Sequence, residues 1–552
     1  MENWIMDIKK ITISDITSAE KLLGITYSNS EREQMVQNLE GQILSAKLRR
    51  GMELDNKIPM ASKFDPRLPG FQMPSSRSVK ARENSIKLPK KEEDIAFSNV
   101  GEQGTWIKNG LITSRKLTQI YLDRIEKFNS KLECFATVTK DQALAEADAM
   151  DSLTSANINL GPLHGIPYGL KDLFDTKGVR TGWGAEPYEN RVPTEDAEIV
   201  KRLRAAGAVI LGKTTLGALA YNDIWYGGRT KNPWNLNEGS SGSSAGSASA
   251  TAAGLCSFAI GTETLGSITS PSQRCGTTGL RPTFGRVSRQ GGMALCWSLD
   301  KIGPICRCVE DTGIVLSTLN GYDENDLSSI RAPFNFDTTE NIKDLVIGYL
   351  PEAFGKGATE VDREALKVAT SLGAKVKEVK LEDLPYMSLI NILYAEAGAA
   401  FEQLTLSNED DTLTWQDDGA WPNTFRKARF LSAVDHVQLD RLRYLVMKAL
   451  DNLFSEIDVL IGPFDTGPML VASNFTGHPC LHLRAGFEQL ASRGAASLGE
   501  GKLNTGEAGT GEKFLVPHGI SLWGRLFEEE KILNFGMALE KELSVFKKRP
   551  EL

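Results

Sequence analysis

Histidine is scarce in this chain, with five residues among 552 (His164, His436, His478, His482 and His518). Cysteine is sparse too: seven residues, an odd number with no CxxC pair, argue for reduced thiols and against a disulfide framework. Cys306-Arg307-Cys308 is expected to place both sulfurs on one face of a strand, but no matching pair completes a zinc site, and no metal or organic cofactor is implied. No run of about 18 apolar residues is present to span a membrane. No apolar core follows the N-terminal charges, so no signal peptide is expected and a cytoplasmic location is. Basic runs are short, such as Lys47-Leu48-Arg49-Arg50, and with a net charge of −8 the chain lacks the concentrated positive face that nucleic acid requires.

What remains is ordinary globular material, 41% hydrophobic and 24% charged. Residues 1–56 read as helical, with Ser28 and Glu31 spaced as a capping box that opens a helix running to about Arg50. Pro59, Pro66, Pro69, Pro74 and Pro89 then mark residues 57–93 as an extended linker draped over the main domain. From Asp94 onward Leu117, Ile120, Tyr121, Ile125 and Phe128 recur at helical spacing, and Ala143 to Met150 continues a second amphipathic helix. A helix near Glu195 to Ala206 precedes a short strand, Ala208 to Leu211. Further strands are expected at Leu345–Leu350 and Asp458–Pro463, and long helices over 388–404 and 425–454. Strand and helix alternate, which predicts an α/β sheet covered on both faces. The division is a helical N-terminal extension with its linker, 1–93, and a main domain, 94–552. A Gly/Ala/Ser/Glu-rich insertion between Phe487 and Phe514 reads as a mobile surface loop.

The chemistry concentrates between Gly242 and Gly285, where small residues, hydroxyls and glycines crowd together. Its centre, Gly261-Thr262-Glu263-Thr264-Leu265-Gly266-Ser267, presents a hydroxyl through a glycine-bearing turn after the apolar run Phe258-Ala259-Ile260. Such a turn aims successive backbone N–H groups into one concavity, as a tetrahedral oxyanion beside a serine nucleophile requires. No histidine lies in this stretch, so the base is either a distant histidine or a lysine or carboxylate.

The stretch resembles the signature of the amidase signature family of serine hydrolases. Ser243-Ser244-Ala245-Gly246-Ser247 falls on the family's SSGGS, and Gly261 to Ser267 falls on GTDTGGS with Ser267 at the nucleophile. Gly165-Ile166-Pro167 to Lys171-Asp172 matches the motif that carries the family's lysine base. The resemblance covers roughly residues 94–543 and implies a large mixed central sheet with helices on both faces. It further implies Lys171, Ser243 and Ser267 as catalytic residues. Ser243, 24 residues before Ser267, would follow a cis peptide and relay the proton, and the N–H groups of Thr264, Leu265, Gly266 and Ser267 would form the oxyanion hole. A catalytic Lys171 must be desolvated to be neutral, and alternation along its strand sends Asp172 to the opposite face. Ser244 reads as a cap of the helix Ala245–Ala253. Gly242 to Gly246 also fits GxSxG, but the segment before it reads as a loop, which the nucleophile elbow excludes.

The expected function is hydrolysis of a carboxylic amide, and by the same chemistry an ester, through a seryl acyl-enzyme. The partner is then a small-molecule substrate, with a homodimer compatible. Two alternatives share the signature: the glutaminase-like subunit of a tRNA amidotransferase, and a catalytically inactive binding protein on the same fold. Leu265 stands where the family has glycine, and Thr269 where it often has arginine. Threonine removes a bidentate anchor for a substrate carboxylate, so neutral or apolar substrates are expected. Arg274 is either a compensating anchor or the partner of a carboxylate such as Glu263. Trp183, Trp225, Tyr226 and Trp297 are expected in the core rather than on a pocket wall.

Overall fold

The computed structural model describes residues 10–77, 79–81, 87–494 and 511–552. Among these, eleven strands form one mixed sheet. In chain order they are β1 Phe135–Val138, β2 Pro167–Lys171, β3 Val209–Thr214, β4 Phe258–Glu263, β5 Thr278–Arg281 and β6 Lys301–Cys306. They continue with β7 Val346–Tyr349, β8 Lys375–Glu378, β9 Val459–Pro463, β10 Cys480–Ala491 and β11 Lys513–Gly524. Across the sheet the order is β8-β7-β9-β11-β10-β5-β6-β4-β2-β3-β1. Strand β2 lies between β3 and β4, parallel to both, and β4 is antiparallel to β6. Every residue of β2, β3, β4 and β6 is buried, the pattern of strands covered on both faces.

The covering helices follow the hydrophobic spacing. In Ser114–Leu132 the hydroxyl of Thr113 accepts the N–H of Lys116, and Leu117, Ile120, Tyr121, Ile125 and Phe128 are all buried. Glu133 ends that helix in the left-handed region at φ 49°. The helix Ala245–Ala252 is buried along its whole length, because alanine, serine and glycine allow its backbone to lie close to β2 and β4. The helix expected over 425–454 is two helices, Trp421–Ala428 and Ala433–Glu456, the second opened by the Ser432 cap. That over 388–404 divides near Phe401. Cys306 ends β6 while Cys308 begins the next helix, so the two sulfurs do not share a strand.

The expected loop between Phe487 and Phe514 is in part strand. Residues up to Ala491 pair with β11 from Lys513 onward in a long antiparallel hairpin, and the remainder of that insertion, 495–510, lies outside the described residues. At the N-terminus the Ser28 and Glu31 capping box forms at the head of Asn29–Arg50. The described part of the proline-bearing segment after it, residues 57–77, consists of turns and irregular chain that touch the main body. Arg49 pairs with Glu402, the Phe64 ring packs edge-on to Phe284 at 5.2 Å, and Val79–Lys80 pairs in parallel with Phe336–Asp337.

Candidate active site

Lys171 closes β2 with a side chain that is completely buried. Pairing of Tyr168, Gly169 and Leu170 with Phe258, Ala259 and Ile260 brings Lys171 abreast of the end of β4. Its ammonium nitrogen lies 2.8 Å from Ser243 Oγ, 3.0 Å from Ser244 Oγ and 2.8 Å from Thr262 Oγ1. Among the described residues no carboxylate stands at ion-pair distance from it. Burial therefore drives its pKa well below the ordinary lysine value, opposed only by the more distant carboxylates of Asp300 and Glu263. Asp172 points to the opposite side, accepting the N–H of Gly182 at 2.9 Å and facing Lys213 at 3.6 Å.

Ser243 follows a cis peptide bond from Gly242. A Cβ at Gly242 would stand 1.9 Å from the carbonyl oxygen of Asn222, so only glycine fits before it. Ser244 occupies the N-cap position of Ala245–Ala252 but makes no side-chain cap. Its hydroxyl instead bridges the backbone of Thr262, accepting the N–H and donating to the carbonyl at 3.1 Å each. The capping role expected for Ser244 is thus replaced by a structural tie to β4. The hydroxyls of Ser240 and Ser241 point elsewhere, to Ser241 O and Ser270 Oγ. A short strand, Asn235–Gly239, does precede the GxSxG match, yet it pairs only with Lys231–Asn232, apart from the main sheet.

Ser267 is 8% exposed, and its carbonyl accepts the N–H of Ser244 at 3.1 Å, which ties the turn that carries Ser267 to the serine turn. Glu263 organises the turn between them. One carboxylate oxygen accepts the N–H groups of Ile268 and Thr269, each at 2.9 Å, and the Thr269 hydroxyl. The other accepts Arg281 at 2.6 Å and Asn474 at 3.0 Å. Burial would raise the Glu263 pKa, but Arg281 and these N–H donors hold it at about 2. Arg281, then, is the partner of Glu263. Arg274 is not: its nearest carboxylate is Glu238, at 3.8 Å. Thr269, at the position where the family often has arginine, serves as a hydroxyl donor to the same buried carboxylate.

Gly266 carries the positive φ of the turn, 87°, whereas Leu265 stays outside the left-handed region. Leucine is accommodated because its side chain joins an apolar cluster with Leu299, Met469 and Phe475. Among the described residues the N–H groups of Leu265, Gly266 and Ser267 are donated to no protein acceptor. Thr264 Oγ1 donates to Asp300 at 2.6 Å. Among the described residues no histidine bonds to Lys171, Ser243 or Ser267: the rings of His164, His478, His482 and His518 are engaged elsewhere.

A cavity of about 320 Å³ adjoins this cluster, lined by Thr262 and Thr264 from the signature, by Leu173 and Phe174 after β2, and by Trp297. Trp297 is thus on a pocket wall. Trp183 and Trp225 are buried, as expected.

A profile of the family described as Amidase matches residues 116–533. The chain belongs to the amidase signature family. It is 35% identical over 439 residues to a glutamyl-tRNA(Gln) amidotransferase subunit from Chromohalobacter salexigens, covering 70% of this chain and 89% of that protein. It is 34% identical over 478 residues to the protein of the same name from Roseiflexus sp., covering 81% and 96%. Among solved structures it resembles the peptide amidase of Stenotrophomonas maltophilia with a TM-score of 0.68 and 26% identity, over 82% of this chain and 98% of that one. A bacterial aryl acylamidase shares the fold at a TM-score of 0.69 and 20% identity, over 82% and 98%.

Proposed function

We propose that this protein hydrolyses a carboxylic amide of neutral or apolar character in the cytoplasm, through an acyl-enzyme on Ser267. The observation that carries the reading is Lys171: a fully buried amine, surrounded by three hydroxyls and with no ion-pair partner among the described residues, has its pKa driven well below the ordinary lysine value by burial, which suits it to act as a base. Ser267 Oγ attacks the carbonyl carbon while its proton passes to Ser243 Oγ, and the Ser243 proton passes to Lys171 Nζ. The oxyanion gathers the N–H groups of Thr264, Leu265, Gly266 and Ser267. Collapse of the tetrahedral intermediate breaks the C–N bond, and the departing amine takes the proton back along the same path. Water then attacks the ester by the reverse proton route, freeing the acid and Ser267.

The cavity supports the substrate class. Its polar lining holds two cations, Lys57 and Arg289, each already paired with a carboxylate, and five carboxylates, of which Asp175, Asp196 and Asp326 are paired with basic side chains while Glu195 and Asp300 have no ion-pair partner among the described residues. A substrate carboxylate there meets repulsion. The test is labelling with an alkyl fluorophosphonate followed by intact-mass analysis: one adduct is expected on the wild type and none on Ser267→Ala, and an adduct that persists in the variant refutes the nucleophile. In matched amides that differ by one carboxylate, the neutral member should have the higher kcat/KM.

The relatives named as amidotransferase subunits favour a second reading, a glutamine-hydrolysing subunit within a larger assembly. Co-purification of partner subunits from the native source, with ammonia release dependent on them, would establish it over the first.

A further inference from the structure

The family match begins at residue 116, yet part of the cavity wall comes from well before it: Asn56, Lys57 and Pro59 line the space beside Thr262 and Thr264. Residues 55–58 form a small turn, closed by the Ile58 N–H to Asp55 O at 2.9 Å and the Lys57 N–H to Asp55 Oδ1 at 2.8 Å, and the place of that turn on the molecule depends on the anchors it finds on the body beneath. Asn56 is the most closely bonded of these. Its carboxamide makes a reciprocal pair with the backbone of Ala294, donating to the carbonyl at 2.8 Å and accepting the N–H at 2.9 Å, and it reaches Ala400 O at 3.3 Å. A side-chain amide used in this way copies one rung of a strand ladder. Next to it Lys57 adds an ion pair with Asp175 at 3.2 Å, but that ammonium is 64% exposed and contributes little.

The bonding does not stop at Ala294. The next two N–H groups, of Leu295 and Cys296, donate to one oxygen of Asp300 at 2.8 and 3.0 Å, and the other oxygen accepts Thr264 Oγ1 at 2.6 Å. Thr264 begins the turn that ends at Ser267. Hydrogen bonds joined by the backbone from Ala294 to Cys296 therefore connect the N-terminal segment, through one wall of the cavity, to the turn that carries Ser267.

We infer that residues 56–59 form a specificity wall of the substrate cavity, with Asn56 as the positioning residue that fixes how bulky an apolar group the site admits; this rests on the reading of Ser267 as nucleophile. The lining also carries the apolar side chains of Phe174, Met293, Trp297 and Leu327, so the group selected is an aryl or branched alkyl one. Asn56→Ala removes the reciprocal pair and frees the segment to move away from Ala294. Pro59→Trp, at an exposed position, adds bulk to the same wall from the opposite direction.

The experiment measures the rate constants with which a small alkyl fluorophosphonate and a bulky aryl one label Ser267 in the full-length protein, read by intact mass, together with each variant's melting temperature. Asn56→Ala is expected to raise the bulky-to-small ratio at least fivefold, and Pro59→Trp to lower it by a similar factor. If Asn56→Ala fails to fold, the Pro59→Trp ratio alone decides. A wild type that labels at Ser267, with ratios unchanged in the folded variants, overturns the wall while leaving the nucleophile in place. Absence of any Ser267 adduct in the wild type overturns the reading of the site, and the wall with it.

Discussion

Two lysines lie at the C-terminal ends of neighbouring strands, Lys171 the last residue of β2 and Lys213 the last but one of β3, and both are completely buried, but they sit in opposite chemical company. Lys171 on β2 has three hydroxyls around its nitrogen. Lys213 on β3 donates to Phe174 O and Thr181 Oγ1, each at 2.7 Å, and has Asp172 at 3.6 Å. Desolvation lowers both pKa values. At Lys213 the Asp172 carboxylate opposes it and the value settles at about 8; at Lys171 no adjacent charge does so and it falls well below the ordinary range. Burial alone therefore does not set how far the pKa falls. A neighbouring carboxylate decides it, because a lysine beside hydroxyls can shed its proton without stranding a negative partner.

The sharpest way to break this contrast is to remove each amine in turn. Lys171→Ala should cut kcat/KM by about a thousandfold, with residual activity rising with pH as hydroxide replaces the base, whereas Lys213→Met should keep activity per folded molecule within about threefold. A pH–rate profile of the three proteins checks both halves. Comparable losses in the two variants would erase the distinction.

Stability should reverse the ranking. Lys213→Met leaves Asp172 buried with no cation and should cost about 3 kcal/mol in chemical denaturation, since breaking a buried pair strands its partner. Lys171→Met strands only hydroxyls and should cost less.

The pH dependence of that smaller cost carries a sign. Because the folded pKa of Lys171 is depressed, the unfolded chain binds the extra proton between the folded value and about 10.4, so wild-type stability gains from this group as pH rises. Lys171→Met lacks that slope. Urea midpoints at pH 6 and pH 9 should show the variant faring relatively better at pH 6; parallel midpoints would mean that Lys171 is charged in the fold.

His518 sharpens the comparison from the other side. It too is largely buried, and burial alone would lower its pKa, but Asp362 and Glu488, each 2.8 Å from a ring nitrogen, push it up to about 9. Its contribution is fully present below the unfolded value near 6.5 and is lost as pH rises through about 9. His518→Gln should therefore cost about 1 to 2 kcal/mol at pH 6 and little at pH 10, read from the same denaturation curves.

Much of the site is legible in the sequence because its parts are short and contiguous. The turn from Gly261 to Ser267, the serine run at 243–244 and the apolar strand that carries Lys171 each announce themselves through spacing, burial pattern and glycine placement. Fold class is legible for the same reason, since strand and helix periodicities are local. Less legible are the partners. Thr262 as the third hydroxyl on Lys171 has no separate signal, although its place one residue before Glu263 would suggest it once β2 and β4 are known to be neighbours. Pairing Arg274 with Glu263 fails likewise, because sequence proximity favours the wrong arginine.

Local pattern suffices to show which residue types gather in the signature stretches and on which elements they ride, because main-chain propensity and hydrophobic period act over a few residues. Which of them meet depends on how the distant parts of the chain pack. The contacts of Lys171 span 72, 73 and 91 residues, that between Asn56 and Ala294 spans 238, and each depends on sheet register and on a segment laid across the body. Contacts at that separation are selected by the packing of the whole chain, where loop-closure entropy is repaid by burial far from the residues concerned, and no local pattern records the outcome.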